Sequence, residues 1–324
     1  MTVTASKKIV LYVPDGTGIR NYLYSDVFKN REHCEFTMLH RFGADIEDLL
    51  SNEIQFSRRI QLPNFKESAK EKFYREVSHI SRLHYFSKKL KNDTLLNAYK
   101  KPQSGFLKKC FYKLIEFRAS SITRYKKIRT IDTSYKNEIK KNPFYSLVRN
   151  KLEALSPDVL FLTHQRAIEA PYVFQAARDL GVKTVTVIFS WDNLPKARLY
   201  LEADQYLVWS AHMKDEMALF YPEIDQDKVE VTGTPQFEFY KDIFNIERRE
   251  DFAKKYDLDP NKKWICFSGD DLRTSPYDAQ YLEDLASELA GSRFRESVQI
   301  LFRRCPVDYS DRYDATIALS LIHI

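Results

Sequence analysis

"VKTVTVIFSWDN", Val182 to Asn193, is an alternating β-branched run that empties into Ser190, Trp191, Asp192 and Asn193. Val, Ile and Thr in such a run suit a pleated strand. The polar end is either an ordinary surface turn or the exit loop of a buried parallel strand, and the neighbouring sequence decides between them. Before it come a helix in "SLVRNKLEAL", a strand in "PDVLFLTH" and a helix in "APYVFQAARDLG". After it come a strand in "QYLVW", a helix in "AHMKDEMALFY" with Ser210 as its cap, and a strand in "KVEVTG". Strands alternating with helices of this length specify an α/β fold whose parallel sheet carries helices on both faces.

The same order extends in both directions. At the start, "KKIVLYVP" reads as a strand, "DGTG" as a turn, "IRNYLYSDVF" as a helix and "CEFTMLH" as a second strand. A long helix is expected from Asn64, with Glu67 completing a capping box, and Phe73, Val77, Ile80 and His84 follow helical spacing to about Leu90. Beyond "TGTPQFEFY" lie a charged helix in "IERREDFAKKYDL", a strand in "KWICFSG", a helix in "DAQYLEDLASELAG" and a strand in "VQILFRR". The expected layout is a Rossmann-like unit over 1–240 with a basic helical insertion at about 64–151, a linker helix over 241–261, and a second α/β unit from 262 to 318.

Composition narrows the class. The 324 residues are 44% hydrophobic and 14% aromatic, enough for packed cores. No apolar stretch is long enough for a signal peptide or a membrane span, so a cytoplasmic location is expected. Cys34, Cys110, Cys266 and Cys305 stand singly without ligand spacing, which predicts reduced thiols and no structural metal. Net charge is +6, but Lys88 to Lys151 holds 18 Lys and Arg against four acids, so the remainder of the chain is acidic. In "GFLKKCFYKLIEF" apolar residues recur at helical spacing with Lys108, Lys109 and Lys113 between them. Such a helix either packs its stripe on the domain and solvates its lysines, or lies on an anionic membrane with Lys126, Lys127 and Arg129. Nucleic acid is the weaker partner, since no aromatic-basic module is recognisable.

In an open parallel sheet, ligands sit beyond the carboxyl ends of the strands. That places Asp15, Gly16, Gly18, His164, Trp191, Asp192 and Asn193 at the edge of the first unit, and Ser268 and Gly269 at that of the second. His164 is either structural or a base near neutral pH, with Asp15 as its orienting carboxylate or as the base itself. Gly16 and Gly18 either let a ligand approach the backbone or only permit a tight turn. "GTGIRN" lacks the third glycine of a dinucleotide fingerprint, and "LHRF" ends the second strand without an acid for a ribose, so no nicotinamide or other cofactor is expected. In the second unit, backbone N–H groups of "FSGDDLRTS" and the charges of Arg303 and Arg304 suit a diphosphate.

The ordered run "PDVLFLTHQ…VKTVTVIFSWDN…EADQYLVWSAHMKDEMALFY…DKVEVTGTPQFEFY" resembles the end of the first domain in GT-B glycosyltransferases, and is most similar to surface-polysaccharide transferases and CDP-glycerol glycerophosphotransferases. Val231, Gly233, Pro235 and Phe237 match the family's "VxGxPxF" segment. The resemblance spans about Pro157 to Asp308. It implies a GT-B-like pair of Rossmann-like domains facing a cleft, with an acceptor in the first and a nucleotide-activated donor in the second. Cys305 stands where members often carry the histidine of a His-Pro pair, which shifts the donor role to Arg303 and Arg304.

The expected activity is transfer of a glycosyl or glycerophosphate unit to a cell-envelope glycan or lipid-linked acceptor, at the inner face of the cell membrane. A nucleotide-sugar 2-epimerase and a non-catalytic sugar-nucleotide or polyanion-binding protein remain as alternatives. Lys262 to Ile324 is only 63 residues, fewer than the usual domain of about 100–150 residues. "LSLIHI", Leu319 to Ile324, resembles a translated sequencing adaptor, so the expectation is a truncated, inactive second domain with a non-native tail.

Overall fold

The computed structural model describes residues 6–29, 32–43, 46, 55–99, 104–318 and the backbone of 322–323. The chain forms two compact units, Met1–Glu238 and Phe239–Ile324.

The first unit is built on seven parallel strands: β1 (Lys7–Val13), β2 (Cys34–His40), β3 (Arg58–Gln61), β4 (Val159–Leu162), β5 (Lys183–Val187), β6 (Gln205–Val208) and β7 (Val229–Val231). Their spatial order is β3-β2-β1-β4-β5-β6-β7, the doubly wound order that reverses direction between β1 and β4. Alternate residues of β1 serve opposite cores. Val10 and Tyr12 join one apolar cluster with Tyr172, Val173, Met213 and Met217, while Leu11 and Val13 join the other with Tyr22, Leu23, Phe28 and Met38. That two-sided burial is why the strands read as apolar runs.

Among the described residues, five helices fill the connection from β3 to β4: α1 (Ala69–Leu90), α2 (Thr94–Tyr99), α3 (Phe106–Ser120), α4 (Tyr125–Ile139) and α5 (Pro143–Leu155). The start of α1 differs from the expected one. Its N-cap is Ser68, whose Oγ accepts from Glu71 N–H at 3.2 Å while Glu71 Oε2 accepts from Ser68 N–H at 2.6 Å. Glu67 is instead held bidentately by Arg75, at 2.6 and 2.9 Å. "IRNYLYSDVF" also departs from a regular helix: one α-turn at Gly16–Gly18 widens into a π-turn at Ile19–Leu23, followed by a 3₁₀ turn at Asp26–Phe28. Asn21, Tyr22 and Leu23 are consecutive and all buried, so the segment has no 3.6-residue stripe.

The charge asymmetry of the sequence is partly resolved inside this unit. Arg82, buried in α1, pairs with Asp132 at 2.6 Å and Glu223 at 3.2 Å, and Arg129 reaches Asp132, Glu202 and Glu223 at 2.7 to 3.1 Å. Lys136 also pairs with Glu202, and Lys140 with Asp179 at 2.9 Å. Part of the basic insertion is therefore spent binding the acidic sheet domain, with α6 (Ala170–Asp179) and α7 (Ala211–Phe220) completing that face.

In the second unit α8 (Arg249–Lys255) precedes a three-stranded parallel sheet ordered β10-β9-β8, from β8 (Lys263–Ser268), β9 (Val298–Arg303) and β10 (Ile322–His323). Leu282, Ala286 and Leu289 of α9 (Asp278–Gly291) pack on Ile300, Phe302 and Tyr313. Of the expected tail, 319–321 and 324 lie outside the described residues. Among the described residues, no helix is long and apolar enough to cross a membrane.

Candidate functional site

The register of β1 with β4 pairs Tyr12 with Leu162, and Thr163 N–H then donates to the Tyr12 carbonyl at 3.2 Å. Both chains leave the sheet side by side at the point where strand order reverses, which brings Asp15 against His164. His164 Nδ1 hydrogen-bonds Asp15 Oδ2. Asp15 Oδ1 also accepts from Thr17 N–H at 3.0 Å, capping the Gly16–Gly18 turn. Burial opposes ionisation of Asp15, but the bonds from His164, Gly18 and Thr17 outweigh it and hold the carboxyl below its usual range. An ionised Asp15 accepts a proton-bearing Nδ1, and so leaves the Nε2 lone pair as the basic one. Nε2 is buried without a hydrogen-bond partner among the described residues, and Phe189 meets the imidazole edge-on with ring centroids 4.0 Å apart.

The glycines have different roles. A Cβ on Gly18 would lie 2.2 Å from Thr163 Oγ1 and 2.9 Å from Val13 Cγ1, whereas one on Gly16 meets nothing within 4 Å. Gly18 thus lets the turn pack on the end of β4, which is a protein contact and not room for a ligand.

The opening stretch forms β5 and a run of turns after it. Trp191 is 68% exposed, and Asp192 is half-buried, accepting from Ser190 Oγ at 2.8 Å and pairing with Lys196. Burial opposes the charge on Asp192, yet Lys196, Ser190 and the nearby Arg166 keep its pKa low. Asn193 is buried and accepts from Arg166 Nη1 at 2.7 Å, so it ties its loop to the one carrying His164. Sequence reading missed that tie, and also Arg41, which follows β2 and pairs with buried Glu169 at 2.8 Å. The arginine of "LHRF" was the available signal for Arg41. Gly233 turns the chain after β7 with φ at 75°, and Phe237 meets Trp209 edge-on at 5.8 Å.

In the second unit Ser268 ends β8, paired in register with Arg303 at the end of β9. The expected phosphate-facing N–H groups are already occupied. Gly269 N–H donates to the Arg303 carbonyl at 3.0 Å, Asp270 N–H to Asp278 at 2.8 Å, and Arg273 and Thr274 N–H to Asp271 at 2.9 and 3.1 Å. Arg304 is spent on the Asp308 and Ser310 carbonyls. Arg303 is exposed, and its guanidinium makes no hydrogen bond or ion pair among the described residues. Of the expected surface cations, Lys108, Lys109, Lys113, Lys126 and Lys127 are exposed, while Arg129 is committed to the internal network above.

No protein-family model and no curated protein match the chain. Solved structures do. A putative UDP-N-acetylglucosamine 2-epimerase from Listeria monocytogenes is 9% identical, with 99% of this chain aligned to 68% of that one at a TM-score of 0.54. The UDP-GlcNAc 2-epimerase from Neisseria meningitidis, solved with UDP-GlcNAc bound, is 10% identical over 98% of this chain and 71% of the other, with a TM-score of 0.53. That from Methanocaldococcus jannaschii gives 9%, 97%, 72% and 0.50. At such identities the likeness is one of fold, and it is the GT-B-like α/β fold.

Proposed function

We propose that the chain belongs to a nucleotide-sugar enzyme of GT-B fold that transfers a glycosyl or glycerophosphate unit to an acceptor hydroxyl. The observation that carries this reading is the Asp15–His164 pair at the strand-order reversal. Asp15 orients the ring, and Nε2, covered in the unliganded chain, takes the acceptor proton once acceptor binding uncovers it, as the hydroxyl attacks the activated carbon or phosphorus and the nucleoside phosphate leaves. Trp191 offers an exposed aromatic face to a sugar ring, and Asp192 an ionised acceptor for its hydroxyls. Within the second unit, the exposed Arg303 offers fixed positive charge to the phosphates of a nucleotide donor.

Thermal-shift screening of nucleotide donors, followed by assay of acceptor-dependent release of nucleoside phosphate, tests the proposal. Release that requires an acceptor and is lost in His164→Ala supports it. A second reading, 2-epimerisation, is favoured by the fold of the UDP-GlcNAc-bound relative. Interconversion of UDP-N-acetylglucosamine with no acceptor present would replace transfer by that reading, and donor binding with neither reaction would leave a binding protein.

A further inference from the structure

The loops that follow β4 and β5 are stitched together beside the candidate base. The two strands are parallel neighbours with Leu162 opposite Thr186, so their exits run side by side. Phe189 N–H donates to the buried Gln165 Oε1 at 3.2 Å, and the Phe189 ring meets His164. Arg166 Nη1 donates to Asn193 Oδ1 at 2.7 Å. A base, a cation and an amide are thereby held on one pair of loops at the ligand edge of the sheet.

The charges at this edge do not all cancel. Lys196 pairs with Asp192, which also accepts from Ser190 Oγ at 2.8 Å, and Arg41 pairs with Glu169 at 2.8 Å. Arg166 is half-buried, acts on Asp192 only beyond ion-pair range, and makes no ion pair among the described residues. Its partner adds a second unmet demand. A guanidinium can only donate, so the atom of Asn193 that faces it is the carbonyl oxygen, and the amide nitrogen points away. That Nδ2 is buried, in a residue only 3% exposed, and has no acceptor among the described residues. A buried donor left unmet is costly unless a ligand oxygen completes it.

A guanidinium and an amide donor side by side suit the two oxygens of one oxyanion. The anion that fits carries a single charge. Asp15 and Asp192 are held ionised on the neighbouring strand exits. The guanidinium beside Asn193 offsets one carboxylate, whereas a phosphate monoester brings about −1.5 to −2 and would add repulsion. Trp191, exposed in the same loop as Asn193, offers a ring face against which a sugar packs.

We propose that the ligand of these loops is an acidic sugar, and that Arg166 and Asn193 Nδ2 hold its carboxylate. Calling that sugar the acceptor rests on the transferase reading; recognition of its carboxylate does not. Nδ2 and His164 Nε2 are both covered in the unliganded chain, and Phe189, which lies against the base, shares a strand exit with Asn193. Drawing Asn193 onto a carboxylate therefore moves the segment that covers the base.

Ligand-observed NMR titration of the whole chain with methyl β-D-glucuronide, the matching uronamide and glucose 6-phosphate tests the assignment. The uronate should bind at least about tenfold more tightly than the uronamide, the effect of one charge-assisted contact, and more tightly than the phosphate. Arg166→Gln should bring uronate and uronamide to equal affinity, and Arg166→Lys, which keeps the charge but not the fork, should restore part of the preference. Asn193→Asp gives Arg166 an internal counter-ion and should also abolish the preference; it keeps the tie between the loops, so the test stands if Arg166→Gln unfolds. Equal affinity for uronate and uronamide in the unaltered protein, no binding of either, tighter binding of the phosphate, or a preference that survives Arg166→Gln and Asn193→Asp overturns the proposal. Uronate preference without any nucleotide-dependent transfer keeps the carboxylate site and removes the transferase reading. His164-dependent transfer to neutral sugars, with no preference for the acid, removes the carboxylate site and keeps the transferase reading.

Discussion

Asp15 and His164, 149 residues apart in sequence, share a hydrogen bond because they leave neighbouring parallel strands at the same height. A carboxylate bound to one imidazole nitrogen sets the tautomer and keeps the other nitrogen basic. If this pair is the catalytic base, His164→Ala should lower turnover by about 10²-fold or more and leave donor affinity intact. Asp15→Asn should retain the fold, lower kcat more than it raises KM, and shift the pH–rate profile, because a neutral amide no longer stabilises the imidazolium. Steady-state kinetics over a pH series measure both, and unchanged turnover in His164→Ala removes it from the mechanism.

The exposed lysines of α3 and α4 give a separate expectation. Vesicles rich in phosphatidylglycerol should bind the chain, with affinity falling steeply between low and physiological salt as charge is screened. Lys108→Glu combined with Lys126→Glu and Lys127→Glu should abolish sedimentation with vesicles. Arg129→Glu should act through stability instead, since its guanidinium is held by Asp132, Glu202 and Glu223. Equal binding to neutral and anionic vesicles would refute an electrostatic attachment.

The two glycines after β1 should separate in stability. Gly18→Ala forces a methyl into Thr163 and Val13, an overpacking expected to cost about 1–3 kcal/mol. Gly16→Ala enters open space and should change stability by no more than about 0.5 kcal/mol. Urea unfolding of both variants, followed by circular dichroism, reads the difference.

Acid should loosen the join between the helical insertion and the sheet. Burial opposes ionisation of Glu202, but Lys136, Arg129 and Arg178 pull its pKa down to about 2 from 4.5. A depressed carboxyl stabilises the fold above its unfolded pKa and loses that contribution as pH falls toward the folded value. Thermal stability should therefore decline from about pH 4.5 toward about pH 2, and Glu202→Gln should flatten this limb while lowering Tm at neutral pH. An acid limb of equal slope in the variant would show that Glu202 is not responsible.

The parallel α/β architecture, the strand and helix order from Pro143 to Arg303, and the position of the exit loops were legible from local pattern. Buried strands write their period into adjacent residues, and a parallel sheet confines its ligand edge to one end. Asp15 and His164 were identifiable as edge residues on that ground alone. Their contact was not, because it depends on β1 and β4 being neighbours in a particular register. The same distinction explains the differences. Glu67 had the right spacing to cap a helix from Asn64, yet the pull of buried Arg75 took it. Arg129 and Arg304 read as free cations, but their partners Glu202, Glu223, Asp308 and Ser310 are assigned by folding. Sequence determined which residues are charged, apolar or able to turn; the tertiary structure decided which charges neutralise one another and which, like Arg303, have no ion-pair partner among the described residues, because electrostatic pairing acts through space between segments that local periodicity cannot relate.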